Sequence, residues 1–545
     1  MRLFRTPLIL AVIPALLAQQ VPPADQPQVV LKASARLVQV SVLAQDGHGQ
    51  PIADLHKEDF RIKVDGKEQP IKVFSMDSAG AVPNSSQAEK LPPNVYTNRL
   101  RVNEGQQPGI TIILLDMLNT RWADQVYAKA QVIRFLRTLQ PTDHIGLYTL
   151  GIALRVQHDY TADASELLAR LEALKGKDLP DMTSKEPTDA MHGDSLLLDQ
   201  LMRGSGASPA ERAFYTTNRV IGTLKAIEFI ANHLAKTPGR KNLIWVSGGF
   251  PMDIGFDNPA AWRNPQIEQR AFYDEISETV RAVNDANMAI YPVDARGLMT
   301  SPSYDAASAR GPRMGATPRM APGVKNQQTM EELASRTGGH AYYNSNDLAK
   351  AIHSAVDDSR VTYMLGFYPV DENFDGKFHK IEVQTVERKG VHLRYRKGFF
   401  DLPEFPQDEK ARKAQLADAS WSPLDANGIG IVARILPSKE KPGEMEITLA
   451  IDSTQVALQN QDQHWVGRLD VLFIQKDNQG NQYNGLDDTI NLRLGTESYG
   501  KFVKNGFVYT KLVTRAGMAK TIRIVVRDSA SGAIGSVTVP LAKIS

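Results

Sequence analysis

Apolar and polar residues follow two different periodicities along this chain, and the changes between them divide it into regions. Near the N-terminus, apolar residues alternate with polar ones, as at Val38, Val40 and Val42. Alternation with a period of two, interrupted by turns, is typical of antiparallel strands with one buried face. The pattern predicts a small N-terminal β module over residues 30–78, followed by a Pro-, Ser- and Asn-rich linker over 79–107.

A continuous apolar run, ITIILLD, opens a different pattern at residues 110–116. From here to about residue 360, strand-like apolar runs alternate with segments in which apolar residues recur at helical spacing. Continuous apolar strands are expected when helices cover both faces of a parallel sheet. The alternation therefore predicts a doubly wound, mostly parallel α/β domain of Rossmann-like architecture over residues 108–360.

Beyond residue 360 the period of two returns. It predicts a β extension over residues 361–403 and, after a charged stretch, seven short strands separated by turns over 420–545. Short strands at this spacing are typical of an immunoglobulin-like β-sandwich. The sequence thus predicts a multidomain protein in which β modules flank a central α/β domain on both sides.

The first residues, MRLFRTPLILAVIPALLAQQ, combine a basic start with a short apolar stretch. They predict a secretory signal peptide over residues 1–18. An uncleaved membrane anchor is the alternative, although a span needs ~20 apolar residues. The chain has no cysteine and a net charge of only +2, which excludes thiol chemistry and gives no support for nucleic acid as a partner. We expect an exported protein, periplasmic, associated with the outer envelope or secreted, with no membrane span after signal removal.

Polar residues stand where the predicted strands of the α/β domain end. The first strand ends at Asp116 and is followed by Asn119 and Thr120, Thr217 lies at the start of a later predicted helix, and Ser247 ends the central strand. In open α/β sheets, ligands bind at the carboxyl ends of the strands. We therefore expect these side chains to share one edge of the sheet.

Two segments of the predicted α/β domain resemble parts of a von Willebrand factor type A domain. TTNRVIGTLKAIEFIANHLAKTPGRKNLIWVSGG resembles that family's Thr-led helix and central strand, and MEELASRTGGHAYYNSNDLAKAIHSAV resembles its last helix–strand–helix. Together with GQPIADLHKEDFRIKVDGKEQPIKVF upstream and YMLGFYP downstream, the chain is similar to the bacterial VWFA-related family common in acidobacteria. That family contains exported proteins of unassigned biochemistry, and the resemblance covers roughly residues 37–400.

Domains of this type commonly carry a metal-ion-dependent adhesion site, which needs converging oxygen ligands for Mg²⁺. The resemblance implies a site for Mg²⁺, or for Mn²⁺ or Ca²⁺, at Asp116, Thr120, Thr217 and Ser247. Its pattern is incomplete, because Leu118 replaces the first Ser and Ser247 replaces the second Asp. In the alternative interpretation, Asp116 caps the following helix while Asn119 and Thr120 bond to local backbone.

Two long loops are predicted at the same edge, over residues 175–216 and 296–326. The second loop is rich in Arg and Met and spaced by Gly and Pro, which suits adaptable contact with an acidic partner. Disorder is the alternative for both loops. The candidate partner-binding residues are Asn119, Arg310, Arg313 and Arg319, and the expected partner is a protein that offers a carboxylate.

Catalytic motifs are missing from the sequence. WVSGG lacks the first Gly of the G-x-S-x-G motif, and no HExxH motif occurs among the eleven histidines. We predict an exported binding or scaffold protein that recognises its partner at the strand-tip face of the α/β domain, with a degenerate metal site. A structural component of the cell envelope, with an inert former metal site, is the main alternative, and an enzyme comes third.

Overall fold

The computed structural model describes residues 37–78, 91–99, 109–140, 143–161, 163–174, 209–250, 267–298, 322–358, 360–369, 377–386, 388–400 and 409–544. The predicted signal peptide lies outside these residues, as do most of the predicted linker and of both predicted long loops. The chain from Leu37 onward forms one compact unit. Within the described ranges, no helix is long and apolar enough to cross a membrane.

Strands and helices are numbered here in chain order within the described residues. The strands are β1 (Val38–Gln45), β2 (Phe60–Val64), β3 (Lys67–Gln69), β4 (Val73–Ser78), β5 (Val95–Thr97), β6 (Ile110–Asp116), β7 (His144–Leu150), β8 (Leu154–Thr161), β9 (Lys241–Ser247), β10 (Met288–Asp294), β11 (Val361–Phe367), β12 (Phe378–Thr385), β13 (His392–Arg394), β14 (Gly398–Phe400), β15 (Ile431–Pro437), β16 (Glu444–Ile451), β17 (Gln459–Gln461), β18 (His464–Lys476), β19 (Gln482–Leu494), β20 (Phe507–Thr514), β21 (Thr521–Asp528) and β22 (Ile534–Pro540). The helices are α1 (Trp122–Leu136), α2 (Ala164–Ala173), α3 (Pro209–His233), α4 (Ile267–Asp285), α5 (Pro322–Thr337), α6 (Leu348–Asp357), α7 (Glu409–Trp421) and α8 (Thr496–Asn505). Short 3₁₀ turns lie at Lys57–Asp59, Ser453–Gln455 and Leu541–Lys543.

The α/β region is built on a five-stranded sheet with the order β10-β9-β6-β7-β8. β10, β9, β6 and β7 run parallel, and only β8 is antiparallel to its neighbour. Alternate residues of β6 serve two hydrophobic cores: Ile112 and Leu114 pack with α3, whereas Ile113 and Leu115 pack with α1 and α6. Burial on both faces explains the continuous apolar run in the sequence, and the predicted mixed, mostly parallel sheet is confirmed.

The strands before and after the α/β region form one β module. Its two sheets have the orders β13-β1-β11-β4 and β14-β12-β2-β3, and both contribute to one hydrophobic core. Val40 of β1 lies opposite Leu365 of β11, more than three hundred residues later in the chain. The sequence predicts residues 30–78 and 361–403 as separate modules, because alternation shows which face of a strand is buried but not which strand it pairs with.

The C-terminal region consists of two antiparallel sheets around a shared core. One has the order β20-β16-β15-β5 and the other β17-β18-β21-β22, with β19 on the free side of β18. Each of the seven segments predicted as strands in this region coincides with a strand of the structure. β5 lies within the predicted linker, yet Thr97 pairs with Val432, and the Asn98 amide donates to the carbonyl of Ala426 at 2.6 Å. This part of the predicted linker is therefore an edge strand of the C-terminal region.

Candidate functional site

Asp116 ends β6 at the carboxyl edge of the central sheet and is only 2% exposed. Its Oδ1 accepts from the backbone N–H of Asn119 at 3.0 Å. Its Oδ2 accepts from the side-chain amide of Asn119 at 2.9 Å, from Trp245 Nε1 at 3.0 Å and from Ser247 Oγ at 2.8 Å. Burial raises the pKa of Asp116 above its ordinary value, and these hydrogen bonds act in the opposite direction. Four donors therefore surround this carboxylate, three of them at Oδ2 and one at Oδ1.

Asn119 joins this carboxylate to helix α3. Its amide nitrogen also donates to Thr223 Oγ1 at 2.8 Å, and its Oδ1 accepts from Arg219 Nε at 3.1 Å. Both Asn119 and Arg219 are buried, with exposed fractions of 2% and 8%. The sequence predicts Asn119 as a partner-binding residue, but its side chain is held inside the domain because three polar groups there require its amide.

Thr120 and Ser247 connect the tips of β6 and β9. Thr120 Oγ1 accepts from the backbone N–H of Gly248 at 2.8 Å, and Ser247 Oγ also contacts the carbonyl of Gly249 at 3.2 Å. A Cβ on Gly248 would lie 2.8 Å from the Asn119 carbonyl oxygen, so only glycine allows this close approach. The two strand tips are thereby fixed to each other by direct hydrogen bonds.

Leu118 and Thr217 occupy two further positions of the predicted metal site. Leu118 packs against the hydrophobic core on the α3 side of the sheet. Thr217 is partly buried on α3, and among the hydrogen bonds between described side chains none joins it to Asp116. The helix-cap interpretation also differs in detail from the structure: the cap of α1 is Arg121, without a side-chain hydrogen bond, and Asp116 instead bonds to the turn before that helix.

The described side chains around Asp116 leave few oxygen positions for a divalent cation. Four donors already occupy the Asp116 carboxylate, and one of them, the Trp245 indole, is a donor that cannot bind a metal. The other strand-tip carboxylate, Asp294, accepts from Arg296 Nε at 2.9 Å and from Arg296 Nη2 at 2.7 Å. Within the described part of the chain, no group of three His, Asp or Glu side chains is arranged to hold a metal ion.

Three side chains of this network were not identified from the sequence: Trp245, Arg219 and Thr223. Trp245 stands in the middle of an apolar strand, where its pattern indicates only a core residue. The chemistry of the side chain could have predicted its contact with Asp116. A buried indole N–H usually needs an acceptor, and Asp116 on the adjacent parallel strand is the nearby candidate. Arg219 falls on the buried face of α3, where a charged side chain breaks the apolar pattern.

Exposed apolar side chains also occur at this edge. Ile152 follows β7 and is 67% exposed, and Leu298 follows β10 and is 60% exposed. Tyr343, 41% exposed, follows a parallel bridge between Val293 of β10 and Tyr342. Because these parallel elements end at the same edge, the three side chains belong to one end of the domain. Arg310, Arg313 and Arg319 lie outside the described residues.

Comparison with known proteins gives matches to solved structures alone. No family model and no curated protein matches the chain. The von Willebrand factor domain of the type V pili tip protein Mfa5 from Porphyromonas gingivalis matches with 11% identity and a TM-score of 0.26, over 46% of this chain and 94% of that one. The conserved hypothetical protein BatB from Bacteroides thetaiotaomicron matches with 16% identity and a TM-score of 0.24, over 46% and 98% of the two chains.

A von Willebrand factor type A protein from Catenulispora acidiphila matches with 8% identity and a TM-score of 0.23, over 86% of this chain and 74% of that one. Proteins with a von Willebrand factor type A domain, the family that the sequence resembles, are thus among the matched structures. At these identities and TM-scores the matches do not indicate a function for this chain.

Proposed function

We propose that this protein is an exported binding or scaffold protein that recognises a protein partner at the strand-tip edge of its α/β domain, without a resident divalent cation. The observation that carries this proposal is the closed hydrogen-bond network around Asp116. It holds the tips of β6 and β9 together, and a metal ion would have to displace the three donors that engage Oδ2 of Asp116. Recognition then depends on the exposed side chains around the network, Ile152, Leu298 and Tyr343.

The same geometry argues against catalysis at this edge. Ser247 is fully buried, so its hydroxyl cannot reach a substrate, although it lies 2.8 Å from Asp116. Asp294 is engaged by Arg296 through two side-chain hydrogen bonds. The acidic and nucleophilic groups of the edge therefore serve its structure, which supports a binding role over an enzymatic one.

A structural envelope component is the second candidate, and contacts between the domains favour it. Arg394 of β13 donates to the buried carboxylate of Asp358, just after α6, and Gln45 of β1 donates to the same carboxylate at 3.3 Å. On the other side, the backbone N–H of Asn427 donates to the carbonyl of Asn232 in α3 at 3.1 Å. Such contacts on both sides suit an α/β domain that serves as a rigid spacer.

Titration with divalent cations tests the metal-independent part of the proposal. We expect Mg²⁺, Mn²⁺ and Ca²⁺ to give no saturable heat in the micromolar to low-millimolar range when added to the chelator-treated mature protein, because four hydrogen bonds already engage the Asp116 carboxylate. Isothermal titration calorimetry is the measurement. Saturable binding that is lost in Asp116→Asn would contradict the proposal and restore the metal-dependent interpretation.

Substitution of the exposed apolar residues tests the binding face. We expect Leu298→Asp combined with Tyr343→Ser to abolish capture of a partner from the producing organism's envelope proteins, with the wild-type capture unchanged in chelator. Quantitative mass spectrometry of the captured proteins gives the readout. Val508→Asp, at a position that is 63% exposed on β20, is the matched control. If capture survives the double substitution, or is lost equally in the control, the strand-tip face is not the specific binding surface.

A further inference from the structure

Strand β19 forms an open edge of the C-terminal region. It is 13 residues long and pairs only with β18, so its other side has no ladder partner among the described strands. An unpaired edge of this length presents backbone N–H and C=O groups that can pair with another strand. Proteins either protect such an edge or use it for binding.

The regular part of β19 is symmetric about one residue. Its register against β18 is continuous from Leu486, opposite Phe473, to Leu494, opposite Trp465, and the irregularity lies beyond Phe473. Ile490 is the centre of this nine-residue stretch. Alternate side chains of the stretch are exposed on its outer face, namely Asp487, Thr489, Asn491 and Arg493.

The two charges on that face are self-complementary. In an antiparallel pair of two β19 strands related by a two-fold axis at Ile490, Asp487 of each copy lies opposite Arg493 of the other. Thr489 then lies opposite Asn491. Opposite charges directly across an antiparallel pair are stabilising. Within the described part of its own chain, neither Asp487 nor Arg493 forms a direct ion pair, and Lys413 acts on Asp487 only through its charge at longer range. Each would therefore gain a direct partner.

The inward face of β19 does not oppose this pairing. Asp488 faces the interior, where an unpaired charge would deter a second strand. Here it accepts from Tyr509 Oη at 2.6 Å and from Lys511 Nζ at 2.6 Å, so its charge is already neutralised within the copy that carries it. In the proposed pair, Asp488 of one copy would lie opposite Leu492 of the other, and the two Ile490 residues would lie opposite each other.

We infer that β19 is a homodimerisation strand. A second copy of this chain pairs with it antiparallel about Ile490, and the C-terminal sheet then runs continuously through both molecules. An interface formed by the same surface patch on both subunits is the commonest arrangement in soluble oligomers. The β19 interface does not include the strand-tip edge. An experiment that rejects dimerisation therefore leaves the proposed binding function standing, and the reverse is also true.

Charge reversal tests the pairing. We expect the mature protein to show a concentration-dependent dimer in sedimentation velocity. Asp487→Arg and Arg493→Asp should each weaken it roughly tenfold or more, because two like-charge pairs replace two ion pairs in every dimer. The combined variant should restore association to near the wild-type level. Lys439→Asp, an exposed charge change away from β19, is the control.

A monomeric wild type, single variants that associate normally, or a folded combined variant without recovery would each overturn the inference. So would a monomer whose β19 edge binds a different protein and loses it on charge reversal.

Cysteine cross-linking tests the register directly, because the chain has no cysteine of its own. Residues opposite each other in an antiparallel pair have Cα atoms about 4.5–5.5 Å apart, within the range that a disulfide spans. Ile490→Cys should therefore form a covalent dimer under mild oxidation, visible on a non-reducing gel. Thr489→Cys should cross-link far less, since its own counterpart is displaced by two residues. Equal cross-linking at both positions would exclude a pair centred on Ile490.

Discussion

We expect replacement of Asp116 by alanine to lower the free energy of unfolding of the α/β domain by about 3–5 kcal/mol. The substitution leaves the Trp245 indole N–H, the Ser247 hydroxyl and the Asn119 amide around a buried position that no longer offers an acceptor. Each unsatisfied buried polar group costs ~1–3 kcal/mol. Part of the loss is offset because Ser247 and Asn119 have other partners nearby, Gly249 and Thr223.

Calorimetry measures this effect through the thermal transition of the α/β domain, with Trp fluorescence in denaturant as the second readout. Asp347→Asn is a matched control, because Asp347 caps α6 by accepting from the Lys350 N–H at 3.1 Å and asparagine caps a helix equally well. We expect the control to change stability by less than about 0.5 kcal/mol. A similarly small effect at Asp116 would show that the network is not structural and that its carboxylate is available to a ligand.

This expected loss changes how the site should be probed. A variant at Asp116 that fails to bind a partner would report unfolding of the strand tips as readily as a lost contact. Leu298 and Tyr343 are better probes, because both are exposed and lie outside the Asp116 network. A binding defect there with an unchanged thermal transition separates recognition from stability.

Local pattern was sufficient to predict the α/β domain. Continuous apolar runs predicted β6, β7, β9 and β10, and their burial on both faces explains why the pattern was so clear. The alternating segments likewise predicted the strands of the flanking modules. Alternation did not predict which strands pair when they are far apart in the sequence. The pairs β1 with β11 and β5 with β15 are examples.

The candidate site was predicted less well than the fold. Asp116, Thr120 and Ser247 do converge, because the tips of parallel strands meet at one edge. The sequence did not reveal that Trp245 and Asn119 would occupy the carboxylate. Whether a strand-tip aspartate faces a ligand or neighbouring donors depends on side-chain geometry, which no spacing rule encodes.

A second group of polar side chains surrounds Lys225. We expect its contribution to the free energy of unfolding to be similar to that of the Asp116 network. The Lys225 ammonium of α3 lies 3.2 Å from Glu228, 3.4 Å from Glu275 of α4 and 3.1 Å from Asp418 of α7. Burial lowers the pKa of Lys225, but the three carboxylates outweigh it and raise that pKa well above its ordinary value. Burial raises the pKa of Glu228, and Lys225 opposes that rise. One cation therefore holds three anions and joins the α/β domain to the helix that leads into the C-terminal region.

We expect Lys225→Met to lower the free energy of unfolding by about 2–4 kcal/mol near neutral pH, because it leaves three carboxylates close together with no cation. Lys501→Met is the control, since Lys501 is 72% exposed and pairs with Glu497 four residues earlier, an interaction worth ~0.3–0.5 kcal/mol. The stability difference between Lys225→Met and the wild type should shrink as the pH falls toward about 4, where carboxylates begin to take up protons.

The sign of this pH dependence follows from proton linkage. A lysine with a raised folded-state pKa contributes its full stability below its unfolded value of 10.5, so Lys225 stays protonated in both states between pH 4 and neutrality and adds no pH dependence of its own there. In the variant, the pKa of Glu228 rises further because Lys225 no longer opposes the effect of burial, and the folded state then binds a proton that the unfolded state has released. Its stability therefore falls as the pH rises, and the gap to the wild type widens. A gap that stays constant with pH would assign the effect to packing of the lysine stem instead of its charge.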